Sequence, residues 1–165
     1  MDCENRDDNG SRDCNNRDYC WFVKKHLDKV NWNGLSYNTS IPLEFFIEHT
    51  LTGTYCSAGL HSSECKLDWY GLSGNTSIPL EFFKEHLDKV NWKGLSKNTS
   101  IPLEFFEEHL DKVNWWGLSW NTTIPLEFFK EHLDELDWDW LSGNTSIPLE
   151  FFKEHLDKVD WWRLS

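Results

Sequence analysis

The sequence predicts an all-α fold, an α-solenoid built from short two-helix repeats of 23 residues. The first observation behind this prediction is a recurring phrase, N-T-S-I-P-L-E-F-F. It begins at Asn38, Asn75, Asn98, Asn121 (with Thr123 in place of Ser) and Asn144. The last four copies are 23 residues apart, and a fixed short period is typical of stacked units that cannot bury an apolar face alone. The other observations are helical spacing of apolar residues and capping signals within each unit.

The segment I-P-L-E-F-F-K-E-H-L is predicted to form the first helix of each unit. In residues 75–97, apolar side chains recur with spacings of 3, 4 and 3, at Leu80, Phe83, Leu87 and Val90. These spacings place the four side chains on one helical face. The preceding Thr-Ser pair is expected to cap the helix N-terminus, with Pro79 in the first turn and Glu81 near the positive end of the helix dipole.

The W-x-G-L-S segment is predicted to form a second, shorter helix, from about Asp88 or Asn91 through Ser96. Its glycine weakens the helix but permits neighbouring helices to approach closely. Asn98 follows where a left-handed C-terminal cap is expected, and the next Thr-Ser pair starts the next helix. Each unit is thus predicted to be helix, tight turn, helix, tight turn.

A leucine-rich-repeat-like β-solenoid is the alternative fold, because its units of about 20 to 29 residues include this period. Leu87, Val90 and Trp92 match its opening L-x-x-L-x-L pattern. The position for Asn or Cys, however, holds Leu95, and the next leucine position holds Lys97. β-Branched residues are also scarce in the unit, which favours helices over strands.

The phase of the repeats divides the chain into seven segments. They are a polar head at 1–19 with the composition of a disordered segment, a degenerate N-terminal repeat at 20–37, a repeat with a 14-residue insertion at 38–74, three regular repeats at 75–97, 98–120 and 121–143, and a terminal repeat at 144–165. Cys56 and Cys65 bracket the insertion. They are a candidate disulfide if the chain resides in an oxidising place.

Charge and hydropathy exclude two classes of function. The net charge of −12 argues against a nucleic-acid binder, which concentrates Lys and Arg on one face. No apolar run approaches the length of about 18 residues that a membrane helix needs, and the chain opens without a signal-peptide core. An intracellular location is expected, and the odd number of cysteines, five, fits reduced thiols. A virion or an extracellular assembly is the alternative location.

Nothing in the sequence resembles a catalytic or metal-binding motif. One histidine recurs in each unit, at His49, His86, His109, His132 and His155. Stacking would hold these residues about 8 to 10 Å apart, too far to share one metal ion, so a role at the helix end is expected. Cys3, Cys14 and Cys20 lack the C-x-x-C spacing of a zinc site. We therefore predict no enzyme, no catalytic residue, no metal or cofactor and no small-molecule substrate.

Each N-T-S or N-T-T copy is formally an N-glycosylation sequon. The acceptor asparagines would be Asn38, Asn75, Asn98, Asn121 and Asn144. Without a leader peptide, the simpler interpretation is a helix junction in which Asn caps one helix and Thr or Ser caps the next. Glycosylation is the alternative for a protein displayed on a particle surface.

The copies differ chiefly at two positions, the residue after the repeated Trp and the residue four places later. Positions i and i+4 share a helical face, so these residues are expected to form a stripe along the array. The stripe is a hypothetical partner-binding face. Its candidate residues are Asn33, Tyr37, Tyr70, Lys93, Lys97, Trp116, Trp120, Asp139 and Trp162.

The phrase E-F-F-x-E-H-L-D-K-V-N-W-x-x-L-S-x-N, which covers residues 20–165 with variations, resembles the short tandem repeats of proteins from giant nucleocytoplasmic DNA viruses. It departs from them in the Thr after the Asn and in the insertion bounded by cysteines. The resemblance implies helical repeats and a viral origin, and it supplies no catalytic residue. The sequence as a whole predicts a non-enzymatic scaffold or protein-interaction module, with a self-assembling structural protein as the alternative.

Overall fold

The computed structural model describes His26, Lys29, residues 31–50 and residues 68–165, without the side chains of residues 48–50. Several predictions lie outside these residues. They concern the polar head with Cys3, Cys14 and Cys20, the insertion with the candidate disulfide Cys56–Cys65, and the side chain of His49.

Eleven short helices and no strand are present in the described residues. They are α1 (Trp32–Ser36), α2 (Leu43–Thr50), α3 (Trp69–Ser73), α4 (Leu80–Glu85), α5 (Trp92–Lys97), α6 (Leu103–Glu107), α7 (Trp115–Trp120), α8 (Leu126–Glu131), α9 (Trp138–Ser142), α10 (Leu149–Lys153) and α11 (Trp161–Leu164). The all-α repeat prediction is confirmed at this level, and the β-solenoid alternative is not supported.

The helices are of two kinds that alternate along the chain. Those with odd numbers begin at the repeated Trp and are called W helices here, and those with even numbers carry the Phe pair and are called F helices. Each W helix contacts the W helix of the next repeat. The W helices therefore form a continuous column, and the array is solenoid-like.

The W helices begin at a residue that caps them well. Asn91 has an extended backbone, and its side-chain Oδ1 accepts a hydrogen bond of 3.1 Å from the Gly94 N–H. Asn31, Asp68, Asn114, Asp137 and Asp160 occupy the same place in the other W helices. Such a cap satisfies one of the amide donors left free at a helix start, so the helix begins one residue after Asn91.

The F helices begin differently from the prediction. Pro79 precedes α4 with an extended backbone and no side-chain cap. The prediction that the Thr-Ser pair caps this helix is wrong. Ser77 instead donates from its amide and its hydroxyl to Asn75 Oδ1. The helix also ends at Glu85. The predicted helical face thus stops short of Leu87 and Val90, which lie in the turn and the connection that follow.

One aromatic pair per repeat joins a W helix to the F helix that follows it. Trp69 stacks on Phe82 with ring centroids 6.0 Å apart and planes 7° apart, and Trp92 stacks on Phe105 in the same way at 5.9 Å. The adjacent Phe of each pair is wholly buried. Its neighbours in the core are the Ile of the I-P-L segment and the Leu of the W helix, each buried in the regular repeats. The core is therefore a continuous line of repeated apolar side chains.

The repeated asparagine binds consecutive repeats together. Asn98 is 1% exposed, and its Nδ2 donates to the carbonyl oxygens of Ser73 at 2.9 Å and Asn75 at 3.2 Å. Its Oδ1 accepts from the amide and the hydroxyl of Ser100. Asn75, Asn121 and Asn144 are buried and donate in the same way. These side chains form an asparagine ladder along the array.

The ladder corrects two predictions about this asparagine. Asn98 was expected to cap helix α5 in the left-handed conformation, but its φ of −73° and ψ of 111° are extended. It was also expected to form a helix junction in which the following Thr or Ser caps the next helix. Its amide instead donates to the carbonyl groups of Ser73 and Asn75, which would be costly to leave unpaired.

The serine of W-x-G-L-S makes the second repeated polar contact. Ser73 is fully buried, and its Oγ accepts a 3.0 Å hydrogen bond from the amide of Asn91. The same contact links Ser96 to Asn114 at 2.9 Å. Each W helix therefore fixes the residue that caps the next W helix.

The glycine of the W helix allows this close stacking, as predicted. A Cβ atom on Gly94 would lie against the carbonyl oxygen of Tyr70, nearer than van der Waals contact allows. A Cβ atom on Gly117 would lie 2.8 Å from the Cβ of Ser96. The W helices can approach to this distance only because the residue that faces the preceding helix has no side chain.

Candidate partner-binding surface

The two variable positions of each repeat lie on the W helices, and the structure brings several of them into contact across repeat boundaries. Tyr37 of one repeat packs edge-on against Tyr70 of the next, with ring centroids 6.0 Å apart. A glycine, Gly74, then occupies the variable position before Lys93. The remaining contacts lie beyond this point and form a second, larger group.

This second group is called the tryptophan cluster. It consists of Lys93, Lys97, Trp116, Trp120, Trp140 and Arg163. The Nζ atoms of Lys93 and Lys97 lie 4.4 and 4.1 Å from the ring centroid of Trp116. Such contacts between ammonium groups and an indole face are attractive. Two cations from one repeat therefore converge on one aromatic side chain of the next.

Trp140 is the centre of the cluster's other half. Its ring meets Trp116 edge-on at 4.7 Å and Trp120 at 5.4 Å. The guanidinium carbon of Arg163 lies 4.0 Å from the Trp140 ring centroid. Aromatic pairs in such edge-to-face geometry are stabilising beyond the area that they bury.

Trp140 and Arg163 were not among the predicted site residues. They occupy the third position of the W-x-G-L-S segment, where four earlier repeats have Gly34, Gly71, Gly94 and Gly117. The sequence did contain a signal for them. Trp140 and Arg163 replace a glycine that the other repeats have at this position, and a large side chain there must find space between adjacent W helices. The prediction compared only the two most variable positions.

Three other predicted site residues lie apart from the cluster. Asn33 donates a 2.8 Å hydrogen bond to Asp68 Oδ2, which joins two successive W helices. Asp139 and Trp162 are exposed, and Trp162 has 83% of its surface accessible.

Lys93 and Lys97 meet no carboxylate within 4.0 Å in the described part of the chain. Arg163, in contrast, pairs with Asp160 at 3.5 Å. Burial of the ammonium group and the nearby charge of Lys93 both lower the pKa of Lys97. Burial, together with Tyr70 and Asp68, raises the pKa of Tyr37. The cluster thus holds two positive charges that no carboxylate of residues 31–50 or 68–165 pairs with, on a protein with a net charge of −12.

The repeated histidines belong to the core's aromatic clusters. His86 lies 4.5 Å from Phe82 and 6.0 Å from Trp69, and its Nδ1 is 2.8 Å from the Phe82 carbonyl oxygen. His132 repeats this contact with Phe128 at 2.9 Å. Since a carbonyl only accepts, Nδ1 carries the proton and the ring satisfies a carbonyl at the helix end. No group of three metal-ligating side chains is found in the described residues.

The asparagine ladder bears directly on the glycosylation alternative. Asn75, Asn98, Asn121 and Asn144 are 1 to 2% exposed. In all four the Nδ2 atom, to which a glycan would be joined, already donates to two carbonyl oxygens. A glycan on any of these four atoms is incompatible with the folded array. Asn38, where the described ladder begins, is half-buried.

Comparison with protein-family models, with curated proteins and with solved structures finds no match to this chain. The resemblance to viral tandem repeats therefore depends on the sequence motifs alone. Within the residues that the structure describes, none of the helices is long and apolar enough to pass through a lipid bilayer.

Proposed function

We propose that the chain is a non-enzymatic repeat scaffold that binds a protein partner through the tryptophan cluster. The observation that carries this proposal is the exposure of Trp120, which has 41% of its surface accessible beside the half-buried Trp116 and Trp140. Large, rigid aromatic side chains near the surface are typical of binding hot spots. An exposed apolar group of this kind is costly to keep in water unless something covers it.

The repeats themselves support the division between a scaffold and a binding face. The ladder asparagines, the capping residues and the buried Phe pairs are nearly the same in each regular repeat. These residues are accounted for by their contacts within the stack. The cluster residues differ from one repeat to the next, which is the distribution expected of a scaffold that presents one specific surface.

The experiment is a selection of random peptides displayed on phage against the immobilised chain. Peptides enriched on the natural chain should lose binding to Trp120→Ser, because the indole that anchors them is gone. Leu110→Ser is the matched control, since Leu110 is a similarly exposed apolar residue, at 38%, outside the cluster. Circular dichroism verifies that both variants keep their helices. Equal retention of the peptides by Trp120→Ser and Leu110→Ser would refute the proposal.

A second candidate function is self-association, and it is favoured by exposed apolar side chains in residues 144–165. Trp161 is 60% exposed. Leu149 and Leu156 are also exposed, at 52% and 55%. A second copy that covers these side chains would bury an appreciable apolar area. Light scattering over a concentration series separates the candidates, because open-ended growth indicates self-assembly and a constant monomer mass indicates a binding module.

A further inference from the structure

The positions of Lys93 and Lys97 identify the chemistry of a ligand. Both Nζ atoms approach one ring, at 4.4 and 4.1 Å from the Trp116 centroid, so the two nitrogens are at most about 8.5 Å apart, the sum of those distances. A carboxylate has two acceptor oxygens, each able to take a charge-assisted hydrogen bond of about 2.8 Å. Lysine side chains are flexible, so two ammonium groups that approach the same ring can both reach the oxygens of one carboxylate.

Within the described residues these charges have no carboxylate partner. Lys93 and Lys97 are four residues apart on helix α5, where like charges repel. In the described part of the chain no carboxylate lies within 4.0 Å of either nitrogen, and the indole of Trp116 offers only the weaker attraction of an aromatic face. An anionic group from outside would relieve this repulsion.

The surroundings favour an acidic peptide over a nucleic acid. The cluster contains only three cationic side chains. One of the three, Arg163, is already paired with Asp160. A nucleic-acid groove would need a longer run of cations that follows the phosphate backbone. Two lysines suffice for a single acidic side chain.

An apolar anchor lies next to the charged pair. Trp120 is 41% exposed and meets Trp140 edge-on, while Trp116 carries the two lysines. We propose that the tryptophan cluster recognises a short acidic peptide segment, whose Asp or Glu carboxylate bridges Lys93 and Lys97 and whose neighbouring apolar side chain packs on Trp120. This inference rests on the proposed function and specifies the class of partner.

The test uses the full chain and a fluorescein-labelled probe peptide, Gly-Glu-Glu-Phe-Glu-Glu-Phe-Gly, with fluorescence anisotropy as the readout. Two further probes have Gln or Lys in place of every Glu. The acidic probe should bind at least about tenfold more tightly than the Gln probe, and the Lys probe should not bind. Binding of the acidic probe should weaken as ionic strength rises from about 0.05 M to about 0.5 M.

The matched variants are two double substitutions with the same change of charge. Lys93→Gln with Lys97→Gln should weaken binding of the acidic probe at least about tenfold, since both bridging donors are lost. Lys84→Gln with Lys130→Gln should leave the affinity unchanged, because these exposed lysines lie on F helices. Circular dichroism verifies that both proteins are folded. Equal weakening in the two variants overturns the proposal.

Other results would assign the site to a different occupant. Tighter binding of a labelled oligothymidylate than of the acidic probe, lost in the Lys93 and Lys97 variant, would identify a polyanion site. Self-association of the chain that this variant abolishes would identify a second copy. Either result overturns the acidic-peptide proposal. If Trp120→Ser abolishes binding of the selected phage peptides and the lysine variant retains them, this inference fails while the proposed function stands.

Discussion

Asn98 and Asn75 are 23 residues apart in the sequence, and the side-chain Nδ2 of the first donates a 3.2 Å hydrogen bond to the main-chain oxygen of the second. The same atom donates to the Ser73 oxygen at 2.9 Å. Since both asparagines are buried, water cannot replace these contacts if they are broken. The asparagine ladder is therefore a structural requirement of the stack, placed at the boundary between repeats.

Replacing Asn98 with Ala should destabilise the array. The substitution leaves the buried carbonyl of Ser73 and the amide of Ser100 without their partner. We expect the free energy of unfolding to fall by about 3 kcal/mol, because each unsatisfied buried group costs about 1 to 3 kcal/mol. Urea denaturation followed by circular dichroism measures the change. Thr99→Ala, at the exposed neighbouring position, should alter stability by less than about 0.5 kcal/mol.

An isosteric change separates the donor from the shape of the side chain. Asn98→Asp keeps the size of the side chain and the oxygen that accepts a hydrogen bond from the Ser100 amide. An ionised carboxylate, however, cannot donate to the carbonyl of Ser73. It should therefore destabilise more than Ala at neutral pH. Stability should rise on acidification, because a protonated Asp can donate. A stability that is insensitive to pH would show that the donor is unimportant.

Two glycines of adjacent repeats form a matched pair for testing the packing of the W helices. Gly94→Ala should cost about 1 to 3 kcal/mol, since its Cβ would overlap the carbonyl of Tyr70 and the helices would have to separate. Gly74→Ala meets its nearest atoms at 3.6 Å, an ordinary contact. This change should be neutral or stabilise by about 0.5 kcal/mol through the unfolded chain. Similar thermal midpoints for the two variants would contradict the close-packing argument.

The stacked pair Trp92 and Phe105 should show direct energetic coupling. Their ring centroids are 5.9 Å apart and their planes differ by 7°. A double-mutant cycle with Trp92→Leu and Phe105→Leu should give a coupling energy of about 0.5 to 1.5 kcal/mol. Chemical denaturation of the natural chain, the two single variants and the double variant measures it. Additive effects would mean that each ring acts only through its own burial.

The pKa of Lys97 gives a prediction about chemical reactivity. Burial, and then the charge of Lys93, lowers this pKa from the ordinary 10.5, so the neutral, reactive amine forms at a lower pH than in a free lysine. The rate of acetylation of Lys97, followed by peptide mapping and mass spectrometry, should therefore reach its midpoint below that of a lysine in an unstructured reference peptide. Lys93→Gln should move the midpoint upward. No movement would exclude a contribution from Lys93.

The same shift has a consequence for stability, because Lys97 binds its proton less tightly in the folded chain than in the unfolded chain. Protonation at this site therefore opposes folding at neutral pH. Its unfavourable contribution should disappear as the pH rises through the folded pKa towards 10.5. Lys97→Met, which removes the charge and keeps the length, should remove this contribution at neutral pH.

The helices could be predicted because their signals are local. The signals of helix α4 lie within one short segment, which contains Pro79, the acidic Glu81 in the first turn and the pair Phe82 and Phe83. The signal of helix α5 is equally local, because the capping Asn91 directly precedes it. The role of Asn98 could not be predicted in this way. Its partners are carbonyl groups 23 and 25 residues earlier, and only the stacking of repeats brings them together. A cap and a ladder residue look the same in sequence.

The sequence predicts only some of the residues that meet in the tryptophan cluster, again because some of its contacts depend on how the repeats stack. The stripe of variable positions includes Lys93, Lys97 and Trp116, which lie in contact because an i and i+4 pair shares a face and the repeats stack in register. Trp140 was missed because its position holds Gly94 and Gly117 in the two preceding repeats, where an added side chain would meet the neighbouring helix. Knowing that it enters the cluster requires the path of the helix column, which sequence spacing does not provide.

The ladder has a direction. Ser96 accepts through its carbonyl oxygen from Asn121 and through its hydroxyl from the amide of Asn114, so both donors come later in the chain than the acceptor. A repeat that emerges during synthesis thus brings its donors to acceptors that are already in place. These contacts therefore allow the repeats to fold one after another from the N-terminal side, each new repeat docking on the one before it.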